Sequence, residues 1–373
     1  MFAAAFLSAT VWTGCGGSGR SSAPPPTPIP APPANNLGTV VDQVVRANMQ
    51  QGNAVGVSVA LAKSGVVFYS NAYGVAVLAA QRAATPATIF EIGSITKQFT
   101  AAIVMKLQEQ GMLKVDDLVA TYLPQYSFPR ELTIRQLLNQ TSGLADYVNF
   151  PDFPNWENNG VAESTVLAEV AAAGVHFTPG TQYEYSNSNY FILGSIIEKV
   201  TQQSYSSVLS QLILKPLGLN STYYELPPAA NSALGYGVAM GAPRLLPASD
   251  RTPAFAAGAI SSNVVDLVNW DHLLMTGQVV SPASFQQMIT PPPNVNSPSG
   301  IRYGFGLVRD TYLGRPDIWH DGEIPGFNSA NAVFLDDGFT VVVLTNSDPF
   351  DAIGLVDKII VAVCTNSQLA SNC

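Results

Sequence analysis

The sequence predicts an α+β fold: one antiparallel β-sheet built from both ends of the chain, flanked by N- and C-terminal helices, with a mostly helical lobe inserted between the two ends. Three observations carry this. Residues 54–62 alternate Val55, Val57, Val59 and Leu61 with Gly56, Ser58, Ala60 and Ala62, the period of a strand, and Lys63-Ser64-Gly65 turns them into a second strand over 66–71. An isolated hairpin is marginal in water, so it needs partners. The next convincing strands come far away, at 329–335 and 339–346, joined by Asp336-Asp337-Gly338. Between these ends the pattern is helical and punctuated by Pro and Gly, with helices expected over 161–173, 189–201, 205–214 and 264–274.

The remaining elements follow in order. Residues 40–49 read as a helix, and a terminal helix over 352–363 is expected to pack beside it on the sheet. The run after Gly93 carries Ile95, Phe99, Ile103 and Leu107 near the helical period, with Gly111 as a stop. A sheet lobe is expected over about 38–88 and 300–366, and a helical lobe over about 89–299.

Composition narrows the function. Of the 373 residues 47% are hydrophobic, enough for a large core, and 12% are charged, against about 25% in typical domains. The formal net charge is −9, from 17 Lys and Arg against 26 Asp and Glu, and no basic patch stands out. Nucleic acid is not an expected partner. No apolar run in the body reaches the roughly 18 to 20 residues of a membrane span. His176, His272 and His320 are scattered and no metal-ligand spacing occurs, so neither metal nor cofactor is expected.

The N-terminus is different in kind. Residues 2–13 are apolar, Gly14-Cys15-Gly16-Gly17 follows, and 21–33 are rich in Pro, Ser and Ala. The pattern resembles a bacterial lipoprotein signal with Cys15 as the lipidated residue, although Trp12 stands where Leu is usual and no Lys or Arg precedes the apolar run. An ordinary secretory signal or an apolar tail are the alternatives. The expected division is a signal segment over 1–15, a Pro/Ser-rich linker over 16–37 and a catalytic domain over 38–366, in the bacterial cell envelope or secreted. Cys364 and Cys373 are then left as a disulfide or as two free thiols.

The chemistry is carried by Ser94-Ile95-Thr96-Lys97. Three positions apart on a helix, the two side chains share a face, so the amine can reach the hydroxyl. A seryl oxygen is too weakly acidic to attack unaided, and a partly neutral lysine supplies the base. Ser94 and Lys97 form the one such pair in the chain. Tyr185-Ser186-Asn187 places a phenol and an amide on a Pro-Gly-led loop that opens a helix. The same Tyr-x-Asn spacing occurs at Tyr69 and Tyr147; the first lies in the early hairpin and the second in a loop after Thr141-Ser142-Gly143-Leu144. Near the C-terminus, Trp319-His320-Asp321-Gly322-Glu323 begins at a strand and runs into a turn, with Gly322 expected to let substrate approach the backbone.

Taken together, residues 90–100, 132–144, 177–194, 216–218, 303–306 and 320–327 resemble landmarks of the serine β-lactamase and penicillin-binding-protein superfamily. The similar branch includes class C β-lactamases, D-alanyl-D-alanine carboxypeptidases and related esterases. The resemblance implies Ser94 as acylated nucleophile, Lys97 as its base partner and Tyr185 as proton shuttle to the leaving group. It implies Asn187 as orienter of Lys97 and of the substrate amide, and His320, Gly322 and Glu323 as a substrate-binding strand, with the N–H groups of Ser94 and Glu323 as oxyanion hole. Two departures are visible: His320 stands where many members have Lys, and Gln140 where many have His, the latter expected in a supporting layer. The substrate class implied is a D-amino acid peptide, a β-lactam or a small ester. The alternative is a non-catalytic penicillin- or cell-wall-binding protein of the same fold. An α/β-hydrolase is set aside because no Gly-x-Ser-x-Gly elbow occurs.

Overall fold

The computed structural model describes residues 37–227, 230–239, 242–366 and 370–372. The expected signal segment, Cys15 and the linker up to residue 36 lie outside the described residues, as does Cys373. Among the described residues no helix is long and apolar enough to cross a membrane.

The sheet has seven strands, all antiparallel. In chain order they are β1 (Gly56–Lys63), β2 (Val66–Val77), β3 (Arg82–Ala83), β4 (Val308–Tyr312), β5 (Arg315–Ile324), β6 (Phe327–Phe334) and β7 (Phe339–Thr345). Their spatial order is β3-β2-β1-β7-β6-β5-β4, so the first strand of this sheet in chain order pairs with its last. The seam runs from Val57 opposite Thr345 to Lys63 opposite Phe339. β7 is buried along its whole length, which requires cover on both faces. Helix α1 (Leu37–Gly52) packs on the C-terminal helix α6 (Ala352–Cys364), which lies on β6 and β7; α5 (Val264–Met275), from the insertion, also lies on β1 and β7.

The expected hairpin is present, with Ser64 and Gly65 both at positive φ in its turn, but β2 continues well beyond residue 71 because β1 offers partners as far as Gly56 opposite Gly74. The second correction concerns the C-terminal motif. His320, Asp321, Gly322 and Glu323 all lie inside β5, and the turn comes only after Ile324. The insertion is mainly helical yet contains a small sheet in which Phe90–Glu91, Ile260–Ser262 and Tyr223–Tyr224 pair. The expected helix over 205–214 divides into an α-turn at Tyr205–Leu209 and a π-helical turn at Ser210–Leu214. Cys364 is disulfide-bonded.

Candidate active site

Ser94 stands in a 3-10 turn, Gly93–Ile95, that feeds helix α2 (Thr96–Glu109), rather than in the first turn of the α-helix itself. Lys97, in the first turn of α2, still shares a face with Ser94, its Nζ within hydrogen-bond distance of the hydroxyl. Gly93 has φ +48°, and a Cβ there would lie 2.8 Å from the Glu323 nitrogen. Across the gap, a Cβ on Gly322 would lie 2.1 Å from the Ile92 carbonyl oxygen and 2.9 Å from the Ser94 nitrogen. These two glycines let β5 lie directly against the turn that carries Ser94. The close approach Gly322 permits is therefore to the protein's own backbone. Ser329 on β6 donates to the Ile92 carbonyl at 2.7 Å and ties the same turn to the next strand.

Lys97 is fully buried. Its Nζ lies 2.9 Å from Ser94 Oγ, 2.8 Å from Asn187 Oδ1 and 2.8 Å from the Ala257 carbonyl oxygen. Asn187 opens helix α4 (Asn187–Thr201), and its amide orientation is set on the far side, where Nδ2 donates to Asp146 Oδ2 at 3.0 Å. Asn187 Oδ1 and the Ala257 carbonyl can only accept. As the ammonium, Lys97 donates to all three groups; on loss of one proton, the two hydrogens left to these two acceptors turn the lone pair toward Ser94, whose hydroxyl can then donate. The arrangement can thus draw the proton from Ser94 Oγ.

Asp146 had no sequence signal beyond lying next to a rejected Tyr-x-Asn match. Its carboxylate also accepts from the backbone N–H groups of Asn187 and Val148, at 3.1 and 3.4 Å. Burial pushes its pKa up to about 6, against the opposing pull of those hydrogen bonds and of the Lys97 charge.

Of the three Tyr-x-Asn matches, Tyr185 is the one over the lysine, with its ring centroid 4.9 Å from Lys97 Nζ. Its ring meets those of Tyr303 and His320 at 6.1 and 6.3 Å. Tyr69 instead donates to Asp42 in the hairpin region, and Tyr147 to the Pro253 carbonyl. Gln140 brackets the Tyr185 loop: its backbone oxygen accepts from Glu184 at 3.1 Å and its side-chain oxygen from the Ser186 N–H at 3.0 Å. Its side-chain oxygen also accepts from Asn189 Nδ2, and the residue supports the loop.

His320 is 2% exposed. Its Nε2 lies 2.8 Å from the Tyr303 hydroxyl and its Nδ1 2.5 Å from the Asp321 carbonyl oxygen. Burial, with the Lys97 charge adding to it, lowers its pKa to about 3, so the ring is neutral at physiological pH.

The cleft beside Ser94 is lined by Tyr147, Phe153, Glu157, Asp250, Arg251 and Glu323 among others. Arg251 is committed to Glu91, its Nε donating to Oε1 at 3.0 Å. Burial raises Glu157 and Glu323 to about 7 each; Arg251 opposes the shift at Glu157, while Asp348 and Asp321 add to it at Glu323. No group of three or more His, Cys, Asp or Glu side chains among the described residues is placed to hold a metal ion.

A serine hydroxyl, a buried amine and a phenol gather where an antiparallel sheet meets a helical insertion, and the fold is that of a serine hydrolase. The chain belongs to the beta-lactamase family, whose model matches residues 41–363. It is 27% identical to protein flp of Staphylococcus aureus (strain COL) over 320 residues, 82% of this chain and 62% of that one. The chain thus spans less than two thirds of that curated relative. Among solved structures, the octameric penicillin-binding protein homologue from Pyrococcus abyssi superposes with a TM-score of 0.79 at 26% identity, covering 90% of this chain and 79% of that one. The D-stereospecific amidohydrolase from Streptomyces sp. gives 0.77 at 26% identity, covering 88% and 99%.

Proposed function

We propose that this chain is an exported serine hydrolase that acts through an acyl-enzyme on small D-amino acid amides, peptides or esters, in preference to carboxylate-bearing β-lactams. The observation that carries the mechanism is the three-way setting of Lys97 Nζ between Ser94 Oγ, Asn187 Oδ1 and the Ala257 carbonyl. In this reading Lys97 takes the Ser94 proton as Oγ bonds to the substrate carbonyl carbon. The oxyanion is met by the N–H groups of Ser94 and Glu323. Tyr185 passes a proton to the leaving amine or alkoxide as its bond to carbon breaks, and water then attacks the ester on Ser94 to release the acid. Asn187 fixes the lysine and offers a contact to the substrate amide.

The substrate preference rests on charge. The neutral His320 ring, both of whose nitrogens are hydrogen-bonded within the protein, gives a substrate carboxylate no cation. The cleft presents Glu157, Asp250 and Glu323, while its Arg251 is already paired. Such a wall favours a neutral or ammonium-bearing acyl group. Similarity to a D-stereospecific amidohydrolase points the same way. Export, with Cys15 as a lipid anchor in the cell envelope, and the division into lobes over 38–88 with 300–366 and over 89–299 belong to the same proposal.

The test compares kcat/KM on a D-amino acid p-nitroanilide, a p-nitrophenyl ester and nitrocefin. Faster turnover of the first two supports the reading, and a marked preference for nitrocefin rejects it. A covalent adduct on every substrate with no turnover would favour a penicillin-binding protein without hydrolytic activity.

A further inference from the structure

His320 occupies the strand beside the nucleophile, and its hydrogen-bond geometry determines what it can offer. Nδ1 faces the Asp321 backbone carbonyl, which only accepts, and Asp321 Oδ1 lies on the same side at 3.8 Å. Nδ1 therefore carries the hydrogen. A neutral ring has one N–H, so Nε2 holds the lone pair. The Tyr303 hydroxyl, 2.8 Å away, must then donate to it. Tyr190, the phenol packed nearby, gives its own hydrogen to the Leu138 carbonyl at 2.7 Å, so toward Tyr303 it can only accept, and Nε2 at 2.8 Å is the acceptor hydrogen-bonded to the Tyr303 hydroxyl.

The position of Tyr303 is fixed by its own segment. A Cβ on Gly304 would lie 2.0 Å from the Met288 carbonyl oxygen, and one on Gly306 would lie 2.6 Å from the Lys97 carbonyl oxygen. The loop is thus pressed at Gly306 against the backbone of the helix that carries the base and at Gly304 against the end of the helix Pro282–Met288. The Tyr303 ring is buried and meets His320 edge-on at 5.7 Å and Tyr185 edge-on at 6.1 Å. It thus bridges His320 and the Tyr185 ring, which lies 4.9 Å from Lys97 Nζ.

We propose that Tyr303 is a positioning and specificity-determining residue: its hydroxyl holds His320 in the Nδ1–H tautomer with the Nε2 lone pair turned away from substrate, and its ring holds Tyr185 over Lys97. The site then has no N–H or cation to give on the His320 side, and substrates are selected for lacking a carboxylate there. This rests on the acyl-transfer reading above for its kinetic part, but not for its spectroscopic part.

The chain has three histidines, so the experiment is long-range 1H–15N correlation of 15N-histidine-labelled protein, with the His320 signals assigned through the His320→Gln variant. Wild type is expected to give a single Nδ1–H tautomer for His320. Tyr303→Phe, which keeps the ring and removes the donor, is expected to release Nε2 and give a mixture or the Nε2–H form. In kinetics Tyr303→Phe should raise kcat/KM for nitrocefin relative to a neutral ester, because Nε2 is freed. Tyr303→Leu, which removes the ring as well, should in addition lower kcat on the neutral ester by on the order of tenfold with little change in KM, through misplacement of Tyr185. An Nε2–H ring in wild type, or a Tyr303→Phe variant with unchanged His320 signals and unchanged kinetics, overturns the proposal. If neither protein turns over any substrate, the acyl-transfer reading fails, while the tautomer result still decides what Tyr303 does.

Discussion

Asn187 joins Asp146 to Lys97: its Nδ2 donates to Asp146 Oδ2 at 3.0 Å and its Oδ1 accepts from Lys97 Nζ at 2.8 Å. An amide held at both ends has a fixed orientation, and that orientation decides which way the lysine lone pair points. The arrangement favours an ionised Asp146, because the side-chain and backbone groups it meets here are all donors and a carboxyl proton would face one of them.

Activity is therefore expected to rise with pH through an apparent pKa near 6, where the buried Asp146 loses its proton. The sign follows from the raised pKa: the carboxyl holds its proton below about 6 and is an acceptor above it. Asp146→Asn should abolish this acidic limb and lower kcat/KM by about 10², the scale of a misaligned catalytic pair. A pH profile of kcat/KM on a neutral ester checks it. A limb near 6 that persists in the variant assigns the titration to another group.

Tyr185→Phe should lower kcat by about 10² to 10⁴, the usual range for general acid-base assistance. Tyr69→Phe and Tyr147→Phe should leave kcat within a few-fold, since their hydroxyls face Asp42 and the Pro253 carbonyl. Steady-state rates on one ester rank all three, and a damaging Tyr147 variant would move the proton shuttle to the other side of the cleft.

Gly322→Ala should impair acylation more than stability. The added methyl meets the Ile92 carbonyl at 2.1 Å and can be relieved only by parting β5 from the Ser94 turn. Overpacking of this kind costs about 1–3 kcal/mol, readable as a lower Tm, while separation of the Ser94 and Glu323 N–H groups should slow the acylation burst by at least tenfold. A variant with a normal burst would remove the oxyanion hole from between these two elements.

Glu157→Gln should raise KM for a D-amino acid p-nitroanilide by about tenfold, roughly 1.4 kcal/mol, and leave a neutral p-nitrophenyl ester unaffected. The ammonium of the first substrate favours the ionised carboxylate, whose pKa of about 7 in the free cleft makes KM fall as pH rises through neutrality. Equal effects on both substrates would remove Glu157 from recognition.

The fold was legible where periodicity and turn chemistry agree. The alternation over 54–62 and the Lys63-Ser64-Gly65 turn mark the hairpin, and the pairing of β1 with β7 follows from two hairpins that each lack a partner. Ser94 and Lys97 were legible because their spacing is local. Asp146 and the Ala257 carbonyl were not, since each reaches the site through tertiary contact from a segment with no distinguishing pattern; Tyr303 stands in a landmark segment, but its contact with His320 is visible only in the folded chain. The strand extent around His320 was misread as a turn because Asp321-Gly322 has turn-like composition, whereas β6 supplies a full set of partners from Asp317 to Ile324. Gly322 sits there for the contact with Ile92, which only the folded chain reveals.

If Lys97 makes Ser94 nucleophilic, intact-protein mass spectrometry after brief exposure to a slow p-nitrophenyl ester should find a single acyl adduct, mapped to the peptide containing Ser94. The adduct should be absent from Ser94→Ala and strongly reduced in Lys97→Ala, with both variants folded. An adduct that persists in Ser94→Ala, or one formed at the wild-type rate in Lys97→Ala, would contradict it.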